Sequence, residues 1–353
     1  MRFWDSGQGD ARAARGTTGP LFRLALFTAV LLFQAHGTAD TVTDPILTLS
    51  MTDPGAVGFS HDGTTIVTGS ADVPAAVFSV QLWDASTGAH KRTFLGHQNR
   101  VEFVEFSLDD TQVLSASQDG TAKIWDVASG TLVRTFAGHS AAVICARFSP
   151  DNTLVATASI DNIVKLWDVA TGQAIRTLTD SMSVANARAS VSFSPDGAHL
   201  ATAQLDNTAK IYNVHTGVLE KSLYGHVGIL YSVSFSPDGQ KLLTTSRDKT
   251  ARIFDLLTGD TLSILRGHTG YIYVSAYSPN GKQVVTASSD GTARVWNADT
   301  AGEIRRYVKH SESIYGVSYS YDGEKILTGS SDDTVLLWGA PDDPEGSIVY
   351  VNS

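Results

Sequence analysis

One aromatic position returns along the chain at Trp83, Trp125, Trp167, Tyr212, Phe254, Trp296 and Trp338, in steps of 42, 42, 45, 42, 42 and 42 residues. A period of that size means one supersecondary unit copied in tandem. Because such a unit cannot bury its own faces, the copies must stack on one another. The stretch Gly96 to Asp126 shows the copied text. It opens on Gly96-His97, alternates through Val101, Phe103, Val104 and Phe106, and turns at Leu108-Asp109-Asp110. It then rises through Val113 to Ser117, turns at Asp119-Gly120 and ends on Ile124-Trp125-Asp126. Short β-prone runs parted by Asp, Gly and Ser predict a meander of antiparallel strands.

An aspartate stands six residues before the aromatic in six of the seven units, at Asp119, Asp161, Asp206, Asp248, Asp290 and Asp332. In the first unit Asp72 stands eleven before Trp83, which implies an insertion of five residues. Gly-His opens units at His97, His139, His226 and His268, and Lys309-His310 opens the last. Spacing, Gly-His, Asp and Trp-Asp together resemble the WD-repeat β-propeller family, over about Ile46 to Gly339. The resemblance implies an all-β chain: a seven-bladed β-propeller of four-stranded antiparallel blades across 40–353. A period of about 40–45 residues is what one such blade takes. It also implies a ring fastened by a blade made from both chain ends. Ile46-Leu47-Thr48-Leu49 is expected to lie beside the strand ending at Trp338, with Ser347 to Val351 as competitor for that slot.

Two units depart from the pattern. The first carries Val73 to Ser79 in its Asp72 turn, and the fourth replaces Gly-His with Asp180-Ser181-Met182-Ser183-Val184 and ends on Tyr212-Asn213. In the family's strand order both departures fall on one rim of the ring, and they are expected to be its least stable parts.

Residues 1–39 stand apart from the repeats. Arg2, Arg12, Arg15 and Arg23 precede the apolar run Leu24 to Phe33, and Gly37-Thr38-Ala39 follows. That order predicts a secretory signal peptide cleaved after about Ala39. The apolar run is too short to span a bilayer, which takes about 20 residues. The expected location is therefore secreted or periplasmic, or cytoplasmic should the leader not function. The whole chain carries −10; losing four Arg and two Asp with the leader takes it to −12. An acidic chain without a Lys/Arg cluster argues against nucleic acid or membrane as the main partner. The domain is expected to be monomeric on its own. Cys145 is the single cysteine, so no intrachain disulfide forms, and it reads as a small buried hydrophobe.

Each complete unit offers a His, a Ser and an Asp, for example His97, Ser115 or Ser117, and Asp119, a set that could pass for a nucleophile, base and orienter. An active site has no reason to recur at 42-residue spacing, whereas a blade-fixing hydrogen-bond network must. The resemblance implies such a network for His97, Asp119 and Trp125; His139, Asp161 and Trp167; His226 and Asp248; His268, Asp290 and Trp296; His310, Asp332 and Trp338. One histidine per blade does not converge on an ion, so no metal is expected. No phosphate-cradling Gly-rich turn suggests a cofactor.

A less repetitive pattern is the better candidate for binding. Just after the first apolar residue of the first strand, successive units carry Tyr231, Tyr273 and Tyr315; Tyr271 adds another ring, and Arg247 lies in a nearby turn. Glu102, Ile144 and Ala189 hold the equivalent place elsewhere. In the family this position faces the mouth of the central channel. Tyr and Arg combine area with hydrogen bonding and anchor binding hot spots. The sequence thus predicts a non-catalytic scaffold that binds a protein or peptide on its rim. The alternatives are a cytosolic scaffold with a mis-assigned leader, and a hydrolase using the channel. The last needs converging acids, and Glu102 alone does not supply them.

Overall fold

The structure, a computed structural model, describes residues 39–72, 77–179 and 190–342. The leader to residue 38, the tip of the first-unit insertion (73–76), the fourth-unit replacement segment (180–189) and the tail from 343 lie outside the described residues.

Alternating apolar runs and Asp/Gly turns fold as expected into seven sheets, each an antiparallel meander. Blade 1 runs from the strand Ala56–Phe59 to His90–Leu95, and blade 2 from Val101–Phe106 to Leu132–Ala137. Blade 3 runs from Val143–Phe148 to Ala174–Thr179, and blade 4 from Val191–Phe193 to Leu219–Leu223. Blade 5 runs from Leu230–Phe235 to Thr261–Arg266, and blade 6 from Ile272–Tyr277 to Glu303–Val308. Blade 7 supplies Ile314–Tyr319, Lys325–Ser330 and Thr334–Gly339. Its outer strand is Leu47–Ser50, paired antiparallel with Thr334–Gly339. The first strands of neighbouring blades touch in a cycle that returns from Ile314–Tyr319 to Ala56–Phe59. The ring closes, and closure limits unpaired edges.

The core lies between blades. Val80, Leu82 and Phe94 of blade 1 pack with Val104, Phe106, Val113 and Trp125 of blade 2 in one buried cluster, and similar clusters join later pairs. Cys145 belongs to the cluster between blades 3 and 4, against Val191. A side chain such as Phe136, fully buried here, contributes about 1.5–3 kcal/mol by leaving water.

Three features were not foreseen. Basic side chains on the outer strands of blades 1 to 4 tie each of these blades to the next. Arg92 donates to the Ala128 carbonyl at 2.9 Å, Arg134 to that of Ala170, Arg176 to that of Thr216 at 3.0 Å and Lys221 to that of Leu257 at 2.9 Å. Such charge-assisted bonds are among the stronger ones. The strand Asp40–Val42 adds a fifth, parallel strand to the outer edge of blade 6, where Arg305 Nη2 meets Asp40 Oδ2 at 3.2 Å. The blade 1 insertion also lengthens the ladder: Thr65–Asp72 and Val77–Asp84 are eight residues each and pair as far as Asp72 opposite Val77.

Candidate functional site

The polar residues of each repeat meet at the upper end of the ring, the end bearing the Gly-His segments and the Asp turns. In blade 2, His97 Nδ1 lies 2.8 Å from Asp119 Oδ2 and Nε2 lies 2.8 Å from Ser115 Oγ. Trp125 Nε1 donates to the same hydroxyl at 2.8 Å. Of the two serines the sequence offered, Ser115 joins the chain; Ser117 instead donates to the Asn99 carbonyl. The glycine before the histidine has φ +149°, and a Cβ there would stand 3.1 Å from the Trp125 ring, which is why the motif demands Gly96.

Blade 3 repeats the chain through His139, Asp161, Thr157 and Trp167, and blade 6 through His268, Asp290, Thr286 and Trp296. Blade 7 does so through His310, Asp332, Thr328 and Trp338. In blade 5 His226 reaches Asp248 and Thr244, but Phe254 replaces the indole donor. Among the described residues blade 1 keeps Trp83 Nε1 to Thr68 alone. Burial opposes charge on Asp119, Asp248 and Asp290, yet bonds from histidine, threonine and backbone N–H hold each carboxyl well below its usual range. Burial also lowers His139, His268 and His310, only partly offset by the aspartate. A neutral imidazole between a carboxylate and a hydroxyl is a bridge with both ends occupied. Among the described residues no three metal-ligating side chains gather.

The phenols do gather. In blades 2, 3, 5, 6 and 7 the first strand carries a register shift between its first and third residues, so Glu102, Ile144, Tyr231, Tyr273 and Tyr315 each occupy a β-bulge. Bulges re-aim a side chain, and of these five Glu102 and Tyr315 line the central channel. The Tyr231 and Tyr273 rings lie 5.1 Å apart edge to face, and Tyr273 and Tyr315 lie 4.8 Å apart. Tyr271 stands 6.4 Å from Tyr231, beneath the exposed Arg247 guanidinium at 5.2 Å. A hydrogen bond with the Tyr271 phenol raises the affinity of Arg247 for its proton.

At the other end of this row of rings Arg100 covers Tyr315 at 5.9 Å and pairs with Asp53 at 2.9 Å. Glu102, buried, accepts from Gln118 Nε2 and lies 3.8 Å from Arg100 Nε. Sequence reasoning missed Arg100, because only the fold brings that loop beside a ring from blade 7. The channel below, ≈ 680 Å³, is lined among others by Glu102, Glu105, Arg147, His61, Tyr315 and Tyr321.

Seven meandering blades, closed by a strand from the N-terminal side and fixed by repeated His–Asp–hydroxyl–Trp bonding, define a β-propeller of repeat type. The WD domain, G-beta repeat family model matches residues 88–126, 130–168, 173–213, 217–255, 259–297 and 302–339, and the chain belongs to that family. Curated relatives are matched over a short segment. WD repeat and HMG-box DNA-binding protein 1 of Homo sapiens is 36% identical over 90 residues, which is 26% of this chain and 8% of the relative. Its Xenopus laevis counterpart is 34% identical over the same share of each.

Proposed function

We propose that this WD-repeat propeller is an exported, non-catalytic scaffold that captures a protein or peptide segment at its upper channel mouth. One observation carries the reading. The ring of upper-mouth positions, which repeat symmetry leaves free to vary, bears phenols on three adjacent blades, stacked at 5.1 and 4.8 Å and bracketed by Arg247 and Arg100. Half-exposed aromatics with flanking guanidiniums offer apolar area, hydrogen bonds and charge in one patch. The fixing residues of each blade are occupied with one another, which leaves the mouth and loops for recognition.

The relative's name speaks of DNA binding, but the match covers 8% of that protein, and this chain carries −10. Acidic net charge disfavours a polyphosphate partner, so a protein partner is the reading retained. Export rests on the leader pattern of basic, apolar and small residues. The test pairs two measurements on the full chain expressed in its native host. Sequencing the exported protein should find Asp40 or a near neighbour at the N-terminus. Affinity capture should retain a partner that is lost when Tyr231, Tyr273 and Tyr315 are changed together to Ala. Retention of the leader in exclusively cytosolic protein sinks the location; equal capture by the triple variant sinks the site.

A further inference from the structure

Between its first and second strands every blade makes the same tight turn, and four successive blades build it alike. Ser149-Pro150-Asp151-Asn152, Ser194-Pro195-Asp196-Gly197, Ser236-Pro237-Asp238-Gly239 and Ser278-Pro279-Asn280-Gly281 follow one formula. The serine hydroxyl accepts the strand N–H (Lys241 N to Ser236 Oγ, 2.9 Å) and donates to the aspartate. The proline sets the turn's φ and abuts the turn glycine of the next blade. The other three blades keep the serine but not the proline: Tyr321 in blade 7, His61 in blade 1 and Leu108 in blade 2. These three are neighbours around the ring. Together they form the one arc of the lower mouth where proline has been given up.

What replaces proline is wired together. The Tyr321 and His61 rings lie 3.8 Å apart. His61 Nδ1 meets Asp110 Oδ1 at 2.9 Å, and the same carboxylate accepts the backbone N–H of His61 and of Asp62 at 2.7 and 3.0 Å. Asp110 takes φ +58° in a place where blades 4 to 7 use glycine, so this aspartate holds a conformation that side chains ordinarily avoid. Just inside the channel, the fifth residue of the blade 2 first strand is Glu105 and its blade 3 counterpart is Arg147, paired at 3.1 Å with Arg147 over Phe103 at 4.5 Å. The equivalent positions in the remaining blades are Gly58, Ser192, Ser234, Ala276 and Ser318. Charge at that level of the channel wall is thus confined to blades 2 and 3, at one end of that arc.

We propose that the lower mouth at blades 7, 1, 2 and 3 is a second binding site, for a lysine or arginine side chain of a partner segment. The local carboxylates are Glu105 and Asp110 against the Arg147 guanidinium, an excess of one negative among these three. Arg147 engages Oε2 of Glu105, and among the described residues no hydrogen bond reaches Oε1, which leaves an acceptor for an incoming cation. Burial raises the Glu105 pKa, so its anion is under-solvated and gains from such a partner. Tyr321 and Leu108, 51% and 58% exposed, offer a ring face and an apolar wall for the aliphatic stem that carries a Lys or Arg head. An acidic partner fits worse: Asp110 repels it, and Arg147 is already paired and stacked. The chain's net charge of −10 favours encounter with a basic segment.

The test is a fluorescence-anisotropy titration of the full chain with a short labelled Gly-Ser peptide bearing one central arginine, beside matched peptides bearing lysine, citrulline or glutamate. The arginine and lysine peptides should bind saturably, and citrulline and glutamate should weaken binding by about tenfold or more, the scale of one lost charge-assisted contact. Glu105→Gln should weaken the arginine peptide comparably. Tyr321→Pro should do the same while leaving Tm unchanged or raised. It restores the residue used in blades 3 to 6, and among the described residues the Tyr321 N–H donates to nothing. Equal binding of the citrulline peptide, preference for glutamate, or arginine binding untouched by both variants overturns the proposal. So does loss of that binding in Tyr273→Ala, which would move the contact to the upper mouth.

Discussion

The centre of blade 2 and the upper mouth of blades 5 to 7 use similar chemistry, aromatic rings with hydroxyls and charges, to opposite ends. In blade 2, Trp125 is 1% exposed, and its indole, Ser115, His97 and Asp119 satisfy one another within a single sheet. At the mouth, Tyr231, Tyr273 and Tyr315 are half-buried and lean on rings from neighbouring blades. The first arrangement recurs in full in blades 3, 6 and 7. The second occurs once and breaks the sevenfold pattern. A buried polar chain is costly to interrupt, because each orphaned group has already left water. A surface ladder of rings forfeits much less when truncated.

The largest effect should come from Trp125→Ala, which removes the largest buried ring of blade 2 and the donor to Ser115. A loss of about 3–5 kcal/mol is expected by chemical denaturation, with the mouth's binding retained in the folded fraction. A loss below about 1 kcal/mol would erase the contrast. Asp119→Ala should follow at about 1–3 kcal/mol, since His97 Nδ1 and the Gln98 N–H lose their acceptor. Trp125→Phe sharpens the comparison within the ring, because it gives blade 2 the aromatic that blade 5 carries naturally in Phe254. The Ser115 hydroxyl then loses its indole donor, and a cost nearer 1 kcal/mol is expected.

Acid should act on the blade centres before it acts on the mouth. His139, His268 and His310 have folded pKa values below the 6.5 of a free imidazole. As pH falls through 6.5 the unfolded chain takes up protons that the fold refuses, so stability drops on acidification and is fully present above that value. The aspartates act in the same direction lower down: their folded values lie below 3.8, so their contribution fades as pH falls past it. Tm should be level above about pH 7 and decline toward about pH 5. A Tm that rises over that interval contradicts neutral, relay-bound histidines.

Much of this was legible in the sequence because it is written repeatedly. Gly96-His97, Asp119 and Trp125 each recur at fixed spacing, and a residue pattern present in most blades identifies its partners by its period alone. The closing strand was legible in part: Ile46 to Leu49 matches the text of the other outer strands, but Ser347 to Val351 competed for the slot until Leu47–Ser50 was seen paired with Thr334–Gly339. What escaped was written once. Asp40–Val42 on blade 6, Arg100 over Tyr315 and His61 against Tyr321 join residues far apart in the chain, and no period announces them. The interblade bonds from Arg92, Arg134 and Arg176 do recur, but a basic residue on an exposed strand is ordinary, and its acceptor is a backbone carbonyl without sequence identity. The phenols were visible as a run of matching positions. Their stacking depended on a bulge in each first strand that the alternation did not reveal.

The smallest change in stability should come from the variant with the largest change in binding. The decisive measurement is therefore Tm and partner affinity, taken side by side, for the combined Tyr231→Ala, Tyr273→Ala and Tyr315→Ala protein and for Trp125→Ala. The expected result is a triple variant that melts well above Trp125→Ala and has lost its partner. A triple variant that unfolds as readily as Trp125→Ala, or that binds as the unaltered protein does, would show the mouth to be packing like the rest of the ring.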